Sequence, residues 1–344
     1  MKLKDIGEFG FIEKISQGCL IRPDNIIKAI GDDAAAFYTD SGQVSLVTTD
    51  LLVERVHFLR DATIGFNLGY KSLAVNLSDI AAMGGTAREA FVSIAIPEDC
   101  STEFLEDVYR GIKDLAAKFD VNILGGDTTS SIVDLIINIS VTGSVPKEEL
   151  LLRKAAQRGD IIFSTGFLGD SRAGLHMILN HIPADSKELK ELFHSHILPR
   201  PFIHEGRFLA AQNGVHAAID VSDGLSSDIG HIAKESNVGV RLFTEKIPVS
   251  ENLNYFCNRF DFNPVEFALA GGEDYTLLCT VSPDNADDVA QKYLKTFNNP
   301  LYPIGKITDP GKMEIIDSSG RAKKIKPEGW DHFKTKGSSR KELE

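Results

Sequence analysis

The chain has 344 residues, enough for two domains, and its apolar and charged fractions are those of an ordinary soluble globular protein. Its 49 acids against 37 Lys and Arg give a formal charge of −12, which argues against a general nucleic-acid or anionic-membrane binder and permits cations. The four cysteines, Cys19, Cys100, Cys257 and Cys279, include no C-x-x-C pair, so neither a zinc site nor a disulfide framework is indicated and a reducing cytoplasm fits best.

The opening "MKLKDIGEFGFIEKI" brings in acids before a signal-peptide core could form, and no apolar run approaches the ~20 residues of a membrane span. "VSLVTTD", Val44 to Asp50, reads as the first strong strand. In "GYKSLAVNLSDIAAMGG", Leu73, Leu77 and Ile80 recur at helical spacing. "EAFVSIAIP" reads as a strand stopped by Pro97. The next helix, "STEFLEDVYRGIKDLAAKF", has Ser101 as N-cap and Phe104, Val108, Leu115 and Phe119 on one face. Strands "VNIL" and "DLIINISVTGSV" flank a "GGDTT" turn. A charged connector then places a domain boundary near Pro146 to Glu149, giving units 1–148 and 149–344. The second unit holds strand "IIFSTG", helices "GDSRAGLHMILN" and "HEGRFLAAQN", and the strand-to-helix passage "AIDVSDGLSSDIG". The tail, from about residue 335, is polar enough for disorder. Alternating strands and helices predict an α/β (α+β) fold. Two faint internal echoes, "NILGGDTT" with "LAGGEDYT" and "NLSDIAAM" with "SSDIGHIA", hint at related halves.

Acids gather in five places: Asp32 and Asp33 in "GDDAAAF", Asp50 in "TTD", Asp79 in "NLSD", Asp127 in "GGDTT", and Asp220 and Asp223 in "DVSD". Most sit at strand ends, where a turn former or helix cap is the ordinary explanation. Asp79 resists it, because Ser72, Asn76 and Asp79 form a polar stripe of poor helix formers within an apolar helix. That stripe is expected to face something polar inside the protein. Several carboxylates drawn together need a cation, and oxygen-only ligands suit Mg²⁺ or Mn²⁺ shared with substrate phosphates. "GFNLGYKS" is one residue short of a phosphate-binding loop and follows no convincing strand, so Lys71 is set aside. No dinucleotide fingerprint and no G-x-S-x-G elbow occur.

The motifs "GDDAAAF", "TTDLLVERVHF", "KSLAVNLSDIAAMGG", "LGGDTTSS", "LLRKAAQRGD", "IDVSDGLSSDIGHI", "AGGEDYTLL" and "PEGWDHF" resemble, in this order, the thiamine-monophosphate kinase family of the aminoimidazole-ribonucleotide-synthetase-like superfamily. The resemblance spans about residues 7 to 333. It implies two α/β domains, with the N-terminal sheets of two chains pairing into a homodimer. The implied reaction is direct in-line transfer of phosphate from ATP to thiamine monophosphate with several Mg²⁺ ions. Carried over by motif, Asp33, Thr48, Thr49, Asp50, Asp79, Asp127, Asp220 and Asp223 resemble metal ligands, and Asp50, Asp127, Arg153 and Asp220 carry catalysis. Tyr109, Gly126, Asp127, Arg153 and Ser222 resemble nucleotide contacts. His57, Glu273 and Trp330 match substrate-side positions.

Asp32 is left as a supporting residue, Ser222 as a cap or phosphate contact, and Asp228 as a helix-surface acid. Other ATP-using members of the superfamily are the nearest alternative. Two of them, a selenophosphate synthetase and a hydrogenase-maturation dehydratase, depend on special cysteines, whereas here Cys19 lies in "SQGCL" and the carboxyl end has none. A non-catalytic Mg-nucleotide scaffold is the alternative of a different class.

Overall fold

The computed structural model describes residues 24–38 and 42–325, together with residues 10 and 12. The first half runs β1 (Ile26–Lys28), β2 (Ala35–Tyr38), β3 (Gln43–Val53), α1 (Gly65–Ala82), β4 (Thr86–Pro97), α2 (Thr102–Lys118), β5 (Asn122–Ser131) and β6 (Ile136–Pro146). Its six strands form one sheet in the order β1-β2-β3-β6-β4-β5, parallel only between β4 and β5.

The second half opens with β7 (Ile161–Ser164), α3 (Asp170–Leu179), α4 (Lys187–Ile197), α5 (Ile203–Ala210), β8 (Val215–Asp220) and α6 (Leu225–Glu235). It continues through β9 (Gly239–Phe243), α7 (Glu251–Phe260), α8 (Pro264–Ala270), β10 (Leu277–Val281), α9 (Pro283–Phe297), β11 (Tyr302–Thr308), β12 (Met313–Ile316) and β13 (Ala322–Lys324). These seven strands form a second sheet, β13-β12-β9-β11-β7-β10-β8, with β8 at one edge. The mixed α/β class is as the sequence predicts. Among the described residues no helix is long and apolar enough to cross a membrane.

Alternation along β3 sends Val44, Leu46 and Thr48 to the buried face and Thr49 and Leu51 to the open one. The buried face carries α1, which is enclosed along most of its length. It touches α2, β3, β6 and β4 of its own half and α5, β8 and α4 of the other. A helix buried nearly all round needs apolar side chains nearly all round. Lys71, Ser72, Asn76 and Ser78 are the exceptions, and they are buried too. One apolar cluster runs from the first sheet and α1 onto Phe163, Ala218, Leu277 and Val281 of the second. On α2, Ser101 accepts a hydrogen bond from the Phe104 amide at 3.2 Å, the predicted N-cap, worth about 1 kcal/mol.

The expected "GGDTT" turn is instead the middle of β5, which runs unbroken from Asn122 to Ser131. Glycine serves close approach there: a Cβ on Gly126, whose φ is 150°, would lie 1.7 Å from the Val92 carbonyl oxygen on β4.

A candidate active site between the two sheets

Four separate segments bring acids to the buried end of α1. Asp33 precedes β2, Asp79 lies on α1, and Asp220 ends β8; ligand oxygens of these three lie within 4.8 Å of one another. Thr48, from the buried face of β3, donates its hydroxyl to Asp79 Oδ2, and Ser78 donates to Asp220 Oδ2 at 2.6 Å. Asp50 shares the face of Thr48 by strand alternation, and its charge acts on both Asp79 and Asp220. Arg153, in the short 3-10 turn Arg153–Ala155, grips Asp33 with both arms, Nη2 to Oδ1 at 2.7 Å and Nε to Oδ2 at 3.2 Å.

Burial drives the electrostatics, and like charges add to it. Asp79 is pushed well above the usual carboxylate range by burial, then by Asp50, Asp220 and Asp33. Asp220 is pushed up by burial and then Asp33, against the pull of Ser78 and Arg153. Burial alone takes Asp50 to about 6. Asp32 also rises to about 6, through burial and then Asp33. Asp32 acts as a support, as expected, since its carboxylate accepts the Asp33 amide at 3.1 Å and the Arg153 amide at 3.4 Å.

Asp228 corrects the expectation of a surface acid. It is 2% exposed, and Oδ2 accepts the amides of Gly224 at 2.9 Å and Asp223 at 3.2 Å. The carboxylate that takes amides at the start of α6 is therefore Asp228, four residues into the chain beyond the N-cap Gly224, while the Ser222 carbonyl accepts the Glu273 amide at 2.8 Å. Asp228 also converges with Asp223 and His231, with ligand atoms all within 4.8 Å. Burial, then Asp223 and Asp220, push its carboxyl well up.

Of the residues expected on the substrate side, His57 accepts the Val53 amide on Nδ1 at 3.0 Å, which leaves the ring proton of a neutral imidazole on Nε2. His57 is near enough to act electrostatically on Glu273, whose carboxylate is bound by Lys71 at 3.1 Å. Trp330 lies outside the described residues.

Four predicted residues stand apart from the cluster: Thr49, Tyr109, and Gly126 with Asp127 beside it on β5. The Thr49 hydroxyl points to the open face, where it accepts from Asn138 at 2.9 Å and Ser140 at 3.0 Å. Asp127 is exposed on β5, level with Ser93, Asn138 and Leu51 across the sheet, so it too faces the open side. Three strand spacings put it about 14 Å from β3. Tyr109 is half-buried on α2 against the core. Of the expected polar stripe, Asp79 does face polar groups. Ser72 and Asn76 instead bond the carbonyls of Leu68 and Ser72 on their own helix, and Asn76 Oδ1 is buried without a partner.

Sequence reasoning missed Lys71, Ser78, His196, Asp228 and His231. For Lys71 and Asp228 a signal existed, a charge flanked by apolar and small residues at helical spacing. For Ser78 and His196 only the tertiary structure brings out the role.

Comparison with known families agrees with this geometry. The AIR synthase related protein N-terminal domain matches residues 31–145, and the AIR synthase related protein C-terminal domain matches residues 157–318. A thiamine-monophosphate kinase of Aquifex aeolicus (strain VF5) is 35% identical over 333 residues, covering 97% of this chain and 100% of that protein. One from Bacillus subtilis (strain 168) is 34% identical over 330 residues, covering 95% and 99%. Among solved structures, "AaThiL complexed with AMPPCP and TMP" superposes with a TM-score of 0.85 at 33% identity, covering 96% of this chain and 99% of that one.

Proposed function

We propose, from the premise that this chain belongs to the thiamine-monophosphate kinases of the AIR synthase related family, that it transfers the γ-phosphoryl group of ATP to thiamine monophosphate, giving thiamine diphosphate and ADP. The observation that carries this reading is the convergence of Asp33, Asp79 and Asp220, from three segments, in a chain similar to these kinases from end to end.

The donor set fits Mg²⁺. Asp33, Asp79 and Asp220 converge through hard carboxylate oxygens, with the Thr48 and Ser78 hydroxyls beside them, and burial followed by neighbouring like charges pushes Asp79 and Asp220 upward. Asp33, Thr48, Asp50, Asp79 and Asp220 would hold the ions at the cluster, and Asp223 would do so beside it. Bound Mg²⁺ would neutralise phosphate oxygens and the charge that shifts to ADP as the bond to the γ-phosphorus breaks. Arg153 has a second task. Its planar fork matches phosphate as well as it matches Asp33, so it is suited to turn to the nucleotide once cations take over the carboxylate. Ser222, in the turn between Asp220 and Asp223, would contact a phosphate.

On the acceptor side, His57 Nε2–H can donate to the phosphate of thiamine monophosphate, and Glu273 accepts from its organic part. No general base is needed, since the attacking oxygen already belongs to a phosphate anion. The chain's work is alignment of that oxygen with the γ-phosphorus. Trp330 is assigned to the organic part of the acceptor by motif alone.

We further assign residues 1–148 to metal and nucleotide binding and to dimerisation, and residues 149–344 to the second domain. The open face of the first sheet, bearing Thr49 and Asp127, would meet the same face of a second copy. Asp127 and Gly126, with Tyr109, then serve the nucleotide at a site completed across the homodimer. The cysteine pattern leads us to assign the protein to the cytoplasm.

Incubation of the purified protein with ATP, thiamine monophosphate and Mg²⁺ tests the reaction. Equal amounts of ADP and thiamine diphosphate are expected, and neither should form after chelation of divalent cations. Bound ATP with no thiamine diphosphate would overturn the assignment.

A further inference from the structure

Lys71, dismissed by its failed phosphate-loop spacing, is a lysine inside the protein, its side chain only 5% exposed. A cation removed from water is retained where it is paired and hydrogen-bonded. Its Nζ lies 3.1 Å from Oε2 of Glu273 and 3.5 Å from Nε2 of His196, joining α1 of the first half to α4 and the "GGED" loop of the second. His196, equally buried, turns Nδ1 to the same Oε2 at 3.2 Å and to Ser171 Oγ at 3.0 Å. Burial, and then Lys71, lower its pKa to about 3, so the ring is neutral. With Nε2 facing an ammonium, the ring proton sits on Nδ1 and is donated toward Glu273 or Ser171.

Glu273 therefore meets Lys71 and His196 at one oxygen, Oε2, by a hydrogen bond from the first and a 3.2 Å contact with the second. Among the described residues Oε1 has no protein hydrogen-bond partner. The loop beneath it is held against its backbone preference. Glu273 and Tyr275 both adopt left-handed φ, 63° and 52°, a conformation that persists only where the surroundings impose it. They do so at three points: the Glu273 amide donates to Ser222 O at 2.8 Å, the Tyr275 amide donates to Val221 O at 2.9 Å, and the Asp274 carboxylate accepts the amides of Gly169 at 2.6 Å and Ser171 at 3.2 Å. Glu273 is thus tied to the turn that bears Asp220 and Asp223.

We propose that Lys71 and His196 are positioning residues for the acceptor substrate: they hold Glu273 by Oε2 and so present Oε1 as a fixed hydrogen-bond acceptor for an N–H donor, such as the amino group on the pyrimidine ring of thiamine monophosphate. The pair with Lys71 offsets the Glu273 charge, so the site selects a directional donor more than a bare cation. This rests on the substrate-side reading of Glu273 given above.

Steady-state kinetics of the full-length protein, varying ATP and thiamine monophosphate separately, tests it. Lys71→Met is expected to raise KM for thiamine monophosphate about tenfold or more while KM for ATP stays within about twofold. Lys71→Arg should restore most of the loss, and His196→Gln should raise the same KM less. The double variant Lys71→Met/Glu273→Gln should be no worse than Glu273→Gln alone, because the two residues act through one contact. If Glu273→Gln raises this KM and Lys71→Met does not, the positioning role is overturned while the reading of Glu273 stands. A Glu273→Gln protein with unchanged KM overturns that reading and this inference with it. Equal rises in both KM values mark a merely structural role and overturn the proposal. Should Lys71→Met fail to fold, wild-type KM in His196→Gln overturns it on its own.

Discussion

Two carboxylates about 4 Å apart repel by ~4 kcal/mol at an effective dielectric of about 20, and this protein draws three or more together at the end of α1. Without cations, Arg153 is the main counter-charge, and it is committed to Asp33. Stability is therefore given up where the proposed turnover would need charge, and the trade can be measured at Asp50. Its carboxyl is raised from 3.8 to about 6 by burial, so the fold favours the protonated form. The associated stability is fully present below about pH 4 and is lost as pH rises through about 6. Asp50→Asn removes the ionisation. In metal-free protein at about pH 7.5 the variant should melt higher than wild type, by about 2–4 °C for each kcal/mol relieved, and the gain should vanish near pH 4. Turnover should fall by about a hundredfold or more. Thermal melts with chelator at the two pH values check the first claim, and the kinase assay checks the second. A lower melting temperature at pH 7.5 would mean that Asp50 supports the fold and not the ions.

At the scale of elements, α1 and α2 cross at two glycines. A Cβ on Gly69 would fall 1.8 Å from the Val108 carbonyl oxygen, and one on Gly111 would fall 1.9 Å from the Phe66 carbonyl oxygen. Backbone meets backbone there, so no rotamer change can make room. Gly69→Ala should push α2 away, at a cost of about 3 kcal/mol or more, and shift the urea midpoint accordingly. An unchanged midpoint would mean the helices part easily. Neither glycine was legible as a contact from the sequence, whereas the elements they join were. Apolar recurrence at Leu73, Leu77 and Ile80 marked α1, and Ser101 marked the start of α2. "GGDTT" misled because Gly-Gly-Asp is what a turn needs, while here glycine answers a neighbouring strand's carbonyl. Asp228 misled for a related reason. Its place on α6 gave no sign that the helix packs with that side inward, or that two amides before it lacked partners. The convergence of Asp33, Asp79 and Asp220 was legible because unlike segments repeated one chemistry. The Lys71, His196 and Glu273 group was not, because its members lie 125 and 202 residues apart.

For the whole molecule, the first sheet has one face under α1 and α2 and one face open. The open side and its edge expose Leu51 (51%), Phe91 (40%) and Leu124 (61%), and Ile132 follows just beyond β5 at 98%. Apolar groups gathered on one side of a sheet mark an interaction surface more than scattered exposure does. A second copy of the chain is the partner the proposed function assigns to it, since Asp127 and Thr49 share this face yet stand too far apart in one chain to grip one ion. A two-fold axis running along the strands midway between β6 and β4 would set each chain's β5 near the other's β3 and supply both residues together. Phe91 has no polar task in this scheme, so Phe91→Asp isolates association from chemistry. Sedimentation should find wild type as a dimer and Phe91→Asp as a monomer at micromolar concentration, with turnover lost in proportion to the dimer. The melting temperature of the monomer should remain close to that of the parent chain, because Phe91 lies outside the buried core of its own subunit. A fully active monomer would confine the reaction to one chain and leave Asp127 without a part in it.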